Sequence, residues 1–213
     1  MKLNKIILLF LLVVGFLNCK QANAQSQREV KIGNQVWMTE NLNVERFRNG
    51  DLIPQAKSDE EWKIAGENGK PAWCYYNNDP ANGPKYGKLY NWYAVHDARG
   101  LAPDGYHVPT DKEWSTLVDF LGGEEIAGKK LKSKEGWEQF GGGTNESGFN
   151  GKPGSKRDEY CAFFDIGGIG YWWSATESDE RFSFIRFMPS LDDSAVRTDV
   201  LKMEGISVRC MKN

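Results

Sequence analysis

The side chains able to do covalent chemistry are few and scattered along the 213 residues. Ser174 follows Trp172 and Trp173, but no glycine elbow flanks it, and a nucleophilic serine needs a base and oxyanion donors set by geometry. Its surroundings read as a strand, with the two tryptophans on opposite faces and Ser174 a hydrogen-bonded strand residue. His107 could be a general base, yet it sits in a proline-bounded turn before a helix start, where an imidazole bonded to a backbone carbonyl is expected. There is no CxxC pair, and His96 is the only other imidazole, so a structural zinc site is not expected. Asn77-Asn78-Asp79 with Asn82-Gly83, and Asp192-Asp193, are oxygen-rich but lack a regular calcium-ligand spacing. They read as turns in which Asn and Asp bond their own backbone. The expectation is a non-enzymatic protein with no cofactor, no metal and no catalytic residues.

Binding residues are sought on long loops carried by a rigid scaffold. The glycine-rich stretch 136–170 is the main candidate, and Lys156 and Arg157 are its candidate ligand contacts. Arg157 is the stronger of the two, because a planar guanidinium can hold a carboxylate with two hydrogen bonds or stack on an aromatic ring. The alternative is that Arg157 pairs with Asp158 or a distant carboxylate and pins the loop. Exposed aromatics could stack on sugar rings, although most should fill the core. A net charge of -2 gives no field to recruit phosphate backbones, so nucleic acid is not an expected partner. With 40% hydrophobic and 26% charged residues, the chain is globular in composition rather than collagenous, low-complexity or polytopic.

Lys2 and Lys5 precede an apolar run at 6–17, and Ala22-Asn23-Ala24 follows, the three parts of a secretory signal peptide. The run is shorter than the ~20 residues of a spanning helix, so no integral membrane span is expected after processing. Cleavage after Ala24 gives a mature chain starting at Gln25, with residues 1–24 as leader and 25–213 as one domain. The alternative is lipidation at Cys19, which would make an outer-membrane lipoprotein, but bulky Phe16, Leu17 and Asn18 precede that cysteine. Export removes Cys19 and leaves Cys74, Cys161 and Cys210, for which one bridge and one free thiol is the simplest arithmetic, with the pairing open.

The elements that position these residues follow from pattern. Val30-Lys31-Ile32 and Gln35-Val36-Trp37 alternate around Gly33-Asn34, which predicts a β-hairpin. Ser58 to Glu61 is a capping-box pattern opening a helix of about two turns closed by Gly66. Thr110-Asp111-Lys112-Glu113 is a second one, followed by Trp114, Leu117, Val118 and Leu121 on one helical face and stopped by Gly122-Gly123. A short helix is predicted over 124–131, and strands at 171–174, at 182–184 and over the alternating residues 206–211. The segment 89–95 fits either period.

Several phrases together resemble one family: Ile32-Gly33-Asn34-Gln35-Val36-Trp37-Met38 with Glu40-Asn41-Leu42, Tyr86-Gly87-Lys88-Leu89-Tyr90-Asn91-Trp92-Tyr93, and Pro103-Asp104-Gly105-Tyr106-His107-Val108-Pro109-Thr110. Asn145-Glu146-Ser147-Gly148-Phe149, Tyr171-Trp172-Trp173-Ser174 and Ser207-Val208-Arg209-Cys210 continue the order. The chain resembles the Fibrobacter succinogenes major paralogous domain, a family of exported bacterial proteins. The resemblance implies an α+β fold: a single C-type-lectin-like domain with short helices, small antiparallel sheets and long glycine-rich loops, related in shape to formylglycine-generating enzymes. Family members commonly carry a cysteine where this chain has Ala102, and Lys152-Pro153-Gly154-Ser155-Lys156 is more basic than the family pattern.

The expected function is an exported binding module, secreted, periplasmic or on the cell surface, whose partner is a glycan or a surface protein. The alternatives are an enzyme of the formylglycine-generating kind, which would need Cys161 and Cys210 brought together around copper, or a structural subunit of a surface assembly.

Overall fold

The computed structural model describes residues 28–139, 141–164 and 166–213; Cys19, Ala22, Ala24 and the leader lie outside the described residues. β1 (Glu29–Ile32) and β2 (Gln35–Met38) form the hairpin that the alternation predicts, with Val30 opposite Trp37. Gly33, at φ 59, supplies the left-handed turn residue. α1 (Asp59–Glu67) is capped by Ser58, whose hydroxyl accepts from the Glu61 amide. Gly66 does not stop this helix. It lies inside the last turn because Met203 packs so close that a Cβ would meet Met203 Cβ at 2.7 Å. β3 (Trp73–Cys74) and α2 (Gly83–Tyr86) follow, and the ambiguous segment divides into both periods, β4 (Leu89–Tyr90) and then α3 (Trp92–Val95).

After β5 (Tyr106–His107), α4 (Asp111–Phe120) carries the complete capping box between Thr110 and Glu113, and Gly122 and Gly123 follow it at φ 109 and 97. In α5 (Glu124–Leu131), Gly128 is required by close approach, since a Cβ there would lie 1.9 Å from the Ser194 carbonyl oxygen. β6 (Ile169–Glu177), β7 (Phe182–Pro189) and β8 (Val196–Leu201) make an antiparallel sheet, and β9 (Met211–Lys212) completes the four-stranded order β1-β2-β9-β5. With the β3-β4 pair this is an α+β domain of short helices and small antiparallel sheets.

Trp172 and Trp173 do point to opposite sides of β6, and both are fully buried, Trp173 with Tyr90 and Val208, Trp172 with Trp37, Trp114 and Phe149. The last strand departs from its predicted pattern. Ile206, Val208 and Cys210 are buried, but so are Ser207 and Arg209 at 1% and 0% exposure. The segment runs between the sheets: Ile206 exchanges backbone bonds with Tyr90, Ser207 O accepts from Trp173 N, and Val208 O and Cys210 O accept from Leu42 N and Met38 N. With backbone on every side, neither face meets water.

The stretch 136–170 has no strand or helix among its described residues before β6, as its composition predicts, but it is not a displayed loop. Phe149, Ser155 and Arg157 are buried within it. Gly141 and Gly143 admit backbone too close for a side chain, since Cβ atoms there would lie 2.2 Å from Ser190 O and 2.3 Å from Lys129 O. These glycines serve close packing of a wall rather than the shape of an exposed tip.

Candidate functional site

Lys156 and Arg157 sit in this wall. Arg157 has 0% side-chain exposure, donates through Nη2 to the Asp59 carboxylate, and lies over the rings of Trp62 at 5.1 Å and Phe163 at 4.9 Å. The distant-carboxylate alternative is what the fold realises. Lys156 is held 2.6 Å from the buried Glu204 carboxylate and lies 5.5 Å from the Tyr171 ring. Burial pushes Glu204 up and the Lys156 hydrogen bond and charge oppose it. Both cations are paired with carboxylates of the chain itself, Lys156 with Glu204 and Arg157 with Asp59. Arg157→Ala is expected to lower stability by about 1–3 kcal/mol through lost packing, less than a typical broken buried pair because Asp59 stays exposed and solvated. Chemical denaturation checks this, and an unchanged midpoint would mean the loop is pinned elsewhere.

The other candidate groups are also engaged. Ser174 Oγ accepts from Thr176 N and its carbonyl accepts from Trp92 Nε1. His107 is bonded not to a backbone carbonyl but to Asn213 Oδ1 at 2.8 Å and Glu113 Oε1 at 3.1 Å, because α4 begins beside it. Asp79 and Asp192 accept from Ala81 N and Ser194 N, closing turns. Cys74, Cys161 and Cys210 are all free, so the expected single bridge is not formed. Cys74 and Cys161 share one apolar cluster and Cys210 lies in another, and burial pushes the Cys74 and Cys210 thiols up to about 12.

A cavity of about 580 Å³ opens elsewhere among the described residues, and none of these side chains lines it. One wall is the segment after β2, with Thr39, Glu40, Asn41, Asn43 and Val44; the second is α2 and its exit, with Gly83, Pro84, Lys85 and Gly87; the third brings Asn150 and Lys152. Gly87, at φ 76, closes the second wall onto the first, and a Cβ there would lie 2.7 Å from Leu42 O. Asn41 is fixed from behind: its Nδ2 donates to Tyr86 O at 2.9 Å, and its Oδ1 accepts from Trp172 Nε1 at 2.9 Å and Arg209 Nη2 at 2.8 Å. Asn43 donates to Gly83 O at 3.3 Å and accepts from the buried Lys88 at 2.6 Å. Asn150 holds φ 57, its amide donating to Asn145 Oδ1.

Two lysines of the lining lack a carboxylate partner among the described residues. Lys85 is exposed and lies 4.7 Å from the neighbouring Tyr86 ring, Lys152 is half-buried, and neither makes an ion pair with a described residue. Burial pushes the Lys152 ammonium down; Glu135 opposes this, while the charges of Lys85 and Arg209 add to it.

Residues 30–212 match the Fibrobacter succinogenes major domain. The chain belongs to that family. No curated protein and no solved structure matches it. Within this Fibrobacter succinogenes major domain, Ala102, which stands where family members commonly carry a cysteine, is buried in the same cluster as Cys210. Nothing in the types or spacing of Lys85, Asn150 and Lys152 marks them as cavity residues. The one available signal was the excess of basic residues at 152–156, and the fold divides that run, Lys152 to the cavity and Lys156 to Glu204.

Proposed function

We propose that this Fibrobacter succinogenes major domain is an exported, non-enzymatic binding module with a C-type-lectin-like shape, and that the cavity beside α2 takes a glycan or a segment of a surface protein. The observation that carries this is the cavity itself, whose walls are braced while, among the described residues, Lys85 and Lys152 make no ion pair and the Asn150 carboxamide no hydrogen bond. Braced walls with a few convergent polar groups are what small-ligand sites require. The reading as a binder rather than an enzyme is supported by the engagement of Ser174 and His107 and by the raised thiols, which hold the proton a nucleophile or copper ligand must lose. Export rests on the leader, and intact-mass measurement of the native protein should give Gln25 as first residue; a diacylated Cys19 would place it on a membrane instead.

The test uses a glycan array and affinity capture of cell-surface proteins with the mature chain and with Pro84→Trp, which sets a large ring at the exposed rim of the cavity. Capture by the parent that disappears in the folded variant supports the reading. Capture that persists unchanged in Pro84→Trp, or no capture by the parent, overturns it.

A further inference from the structure

We infer that the cavity selects an anionic polysaccharide, with the oxyanion of an acidic sugar seated between Lys85 and Lys152. This deepens the binding reading above and depends on it. The contrast with the other sequestered cations is the starting point. Lys88, Lys156 and Lys202 each have a carboxylate within ion-pair distance, and Lys132 donates to two carbonyl oxygens. Lys152 loses water to burial and receives neither from the described residues. An ammonium partly removed from water is unfavourable until an acceptor replaces the lost hydration.

Charge around the site favours an anion. Behind Asn41 stands Arg209, fully buried and with no carboxylate of a described residue within ion-pair distance, and its charge acts on Lys152 through low-dielectric protein. Glu40 is the acid in the lining; it is exposed, lies 4.0 Å from Arg28 and acts on Arg209 from the same wall, while Glu135 acts on Lys152 without forming an ion pair.

The lining favours a saccharide over an acidic peptide. Peptide recognition leans on apolar anchors in desolvated pockets, and here Val44 and Pro84 are the only bulky apolar residues in the walls. A carboxamide such as Asn150 offers a donor and an acceptor together, the pair that neighbouring sugar hydroxyls complement, and its held backbone fixes where they point.

The experiment measures binding of the mature chain to polygalacturonate, to its methyl ester, to dextran sulfate and to poly-glutamate, with Lys85→Met, Lys152→Met, the double variant and Pro84→Trp. Binding to polygalacturonate or dextran sulfate is expected; which of the two is tighter tells carboxylate from sulfate. Each single lysine variant should weaken it about tenfold and the double about a hundredfold, in line with charge-assisted hydrogen bonds. Added salt should weaken it further. Melting temperature should change little in the lysine variants, since they remove mutual repulsion and no ion pair with a described residue, and Lys85→Met gives up only the exposed contact with the Tyr86 ring. Equal binding of the methyl ester, abolished by Pro84→Trp, would overturn anion selection while leaving the cavity a glycan site. Acidic-polymer binding indifferent to the lysines would overturn the assignment, as would preference for poly-glutamate. Binding of none of the four polymers would also overturn it.

Discussion

Trp114→Ala is expected to destabilise the domain by about 3–5 kcal/mol, the range for deleting a large fully buried aromatic. The ring is 0% exposed, 4.8 Å from Trp37 and 5.8 Å from Phe149, centroid to centroid. Its Nε1 donates to Trp173 O at 3.3 Å, so the truncation also leaves that carbonyl short of a donor. Collapse around the void is resisted, because the same cluster is braced by Trp172 and by the capped first turn of α4. Urea denaturation should show a lower midpoint with an unchanged slope, whereas Trp114→Phe, which keeps most of the apolar contact, should lose less than half as much. A loss below about 1 kcal/mol for the alanine variant, typical of surface sites, would contradict the assignment of this ring to the core.

What the sequence disclosed about the fold was what local chemistry decides. Ser58 and Thr110 cap the next turn with their own hydroxyls, and Gly33-Asn34 closes a hairpin on itself, so a few neighbouring residues suffice to read them. β8 carries the same kind of signal, since Val196, Thr198 and Val200 alternate with Arg197 and Asp199, although no strand is predicted there. Legibility failed where a segment is enclosed on both faces. Ser207 and Arg209 occupy positions that a half-buried strand would give to solvent, and only remote contacts make them interior, β6 at Ser207 and Met38, Asn41 and Phe149 at Arg209. Glycine likewise misled in 136–170, because the residue suits an exposed tip and a close backbone approach equally well, and composition does not separate the two.

The site was less legible still. Arg157 was rightly suspected of holding a carboxylate, but the one it meets lies 98 residues away on α1, a distance no spacing rule crosses. The cavity is assembled from three remote segments, and its informative feature is negative: in sequence Lys85 and Lys152 are ordinary surface lysines, and only in space does each lack an ion pair with a described residue. The resemblance to a family did include Asn41 and Gly87 in its phrases, without saying that one braces the cavity and the other closes it.

Arg209→Met is expected to cost about 2–5 kcal/mol, against a real opposing effect. Burial pushes this guanidinium down to about 9, so it remains charged at neutral pH in a place that disfavours charge, and replacing buried ionic groups by apolar ones is often neutral or stabilising. Here three acceptors depend on it. Nη1 donates to Met38 O and Phe149 O, Nε and Nη2 donate to Asn41 Oδ1, and the plane lies 4.2 Å from the Phe149 ring. Methionine fills the volume but leaves two carbonyls without this donor, at about 1–3 kcal/mol for each buried acceptor left unsatisfied, which outweighs relief of the charge. Lysine should rescue little, since one ammonium cannot reproduce the fork that reaches separate segments. Because Asn41 Oδ1 would lose both of its Arg209 donors, the first wall of the cavity should loosen as well. Hydrogen exchange at Leu42, whose amide bonds Val208 O, should then quicken by more than the global loss predicts. A variant as stable as the parent, with Leu42 still protected, would mean that the backbone bonds of the last segment hold the sheets together unaided.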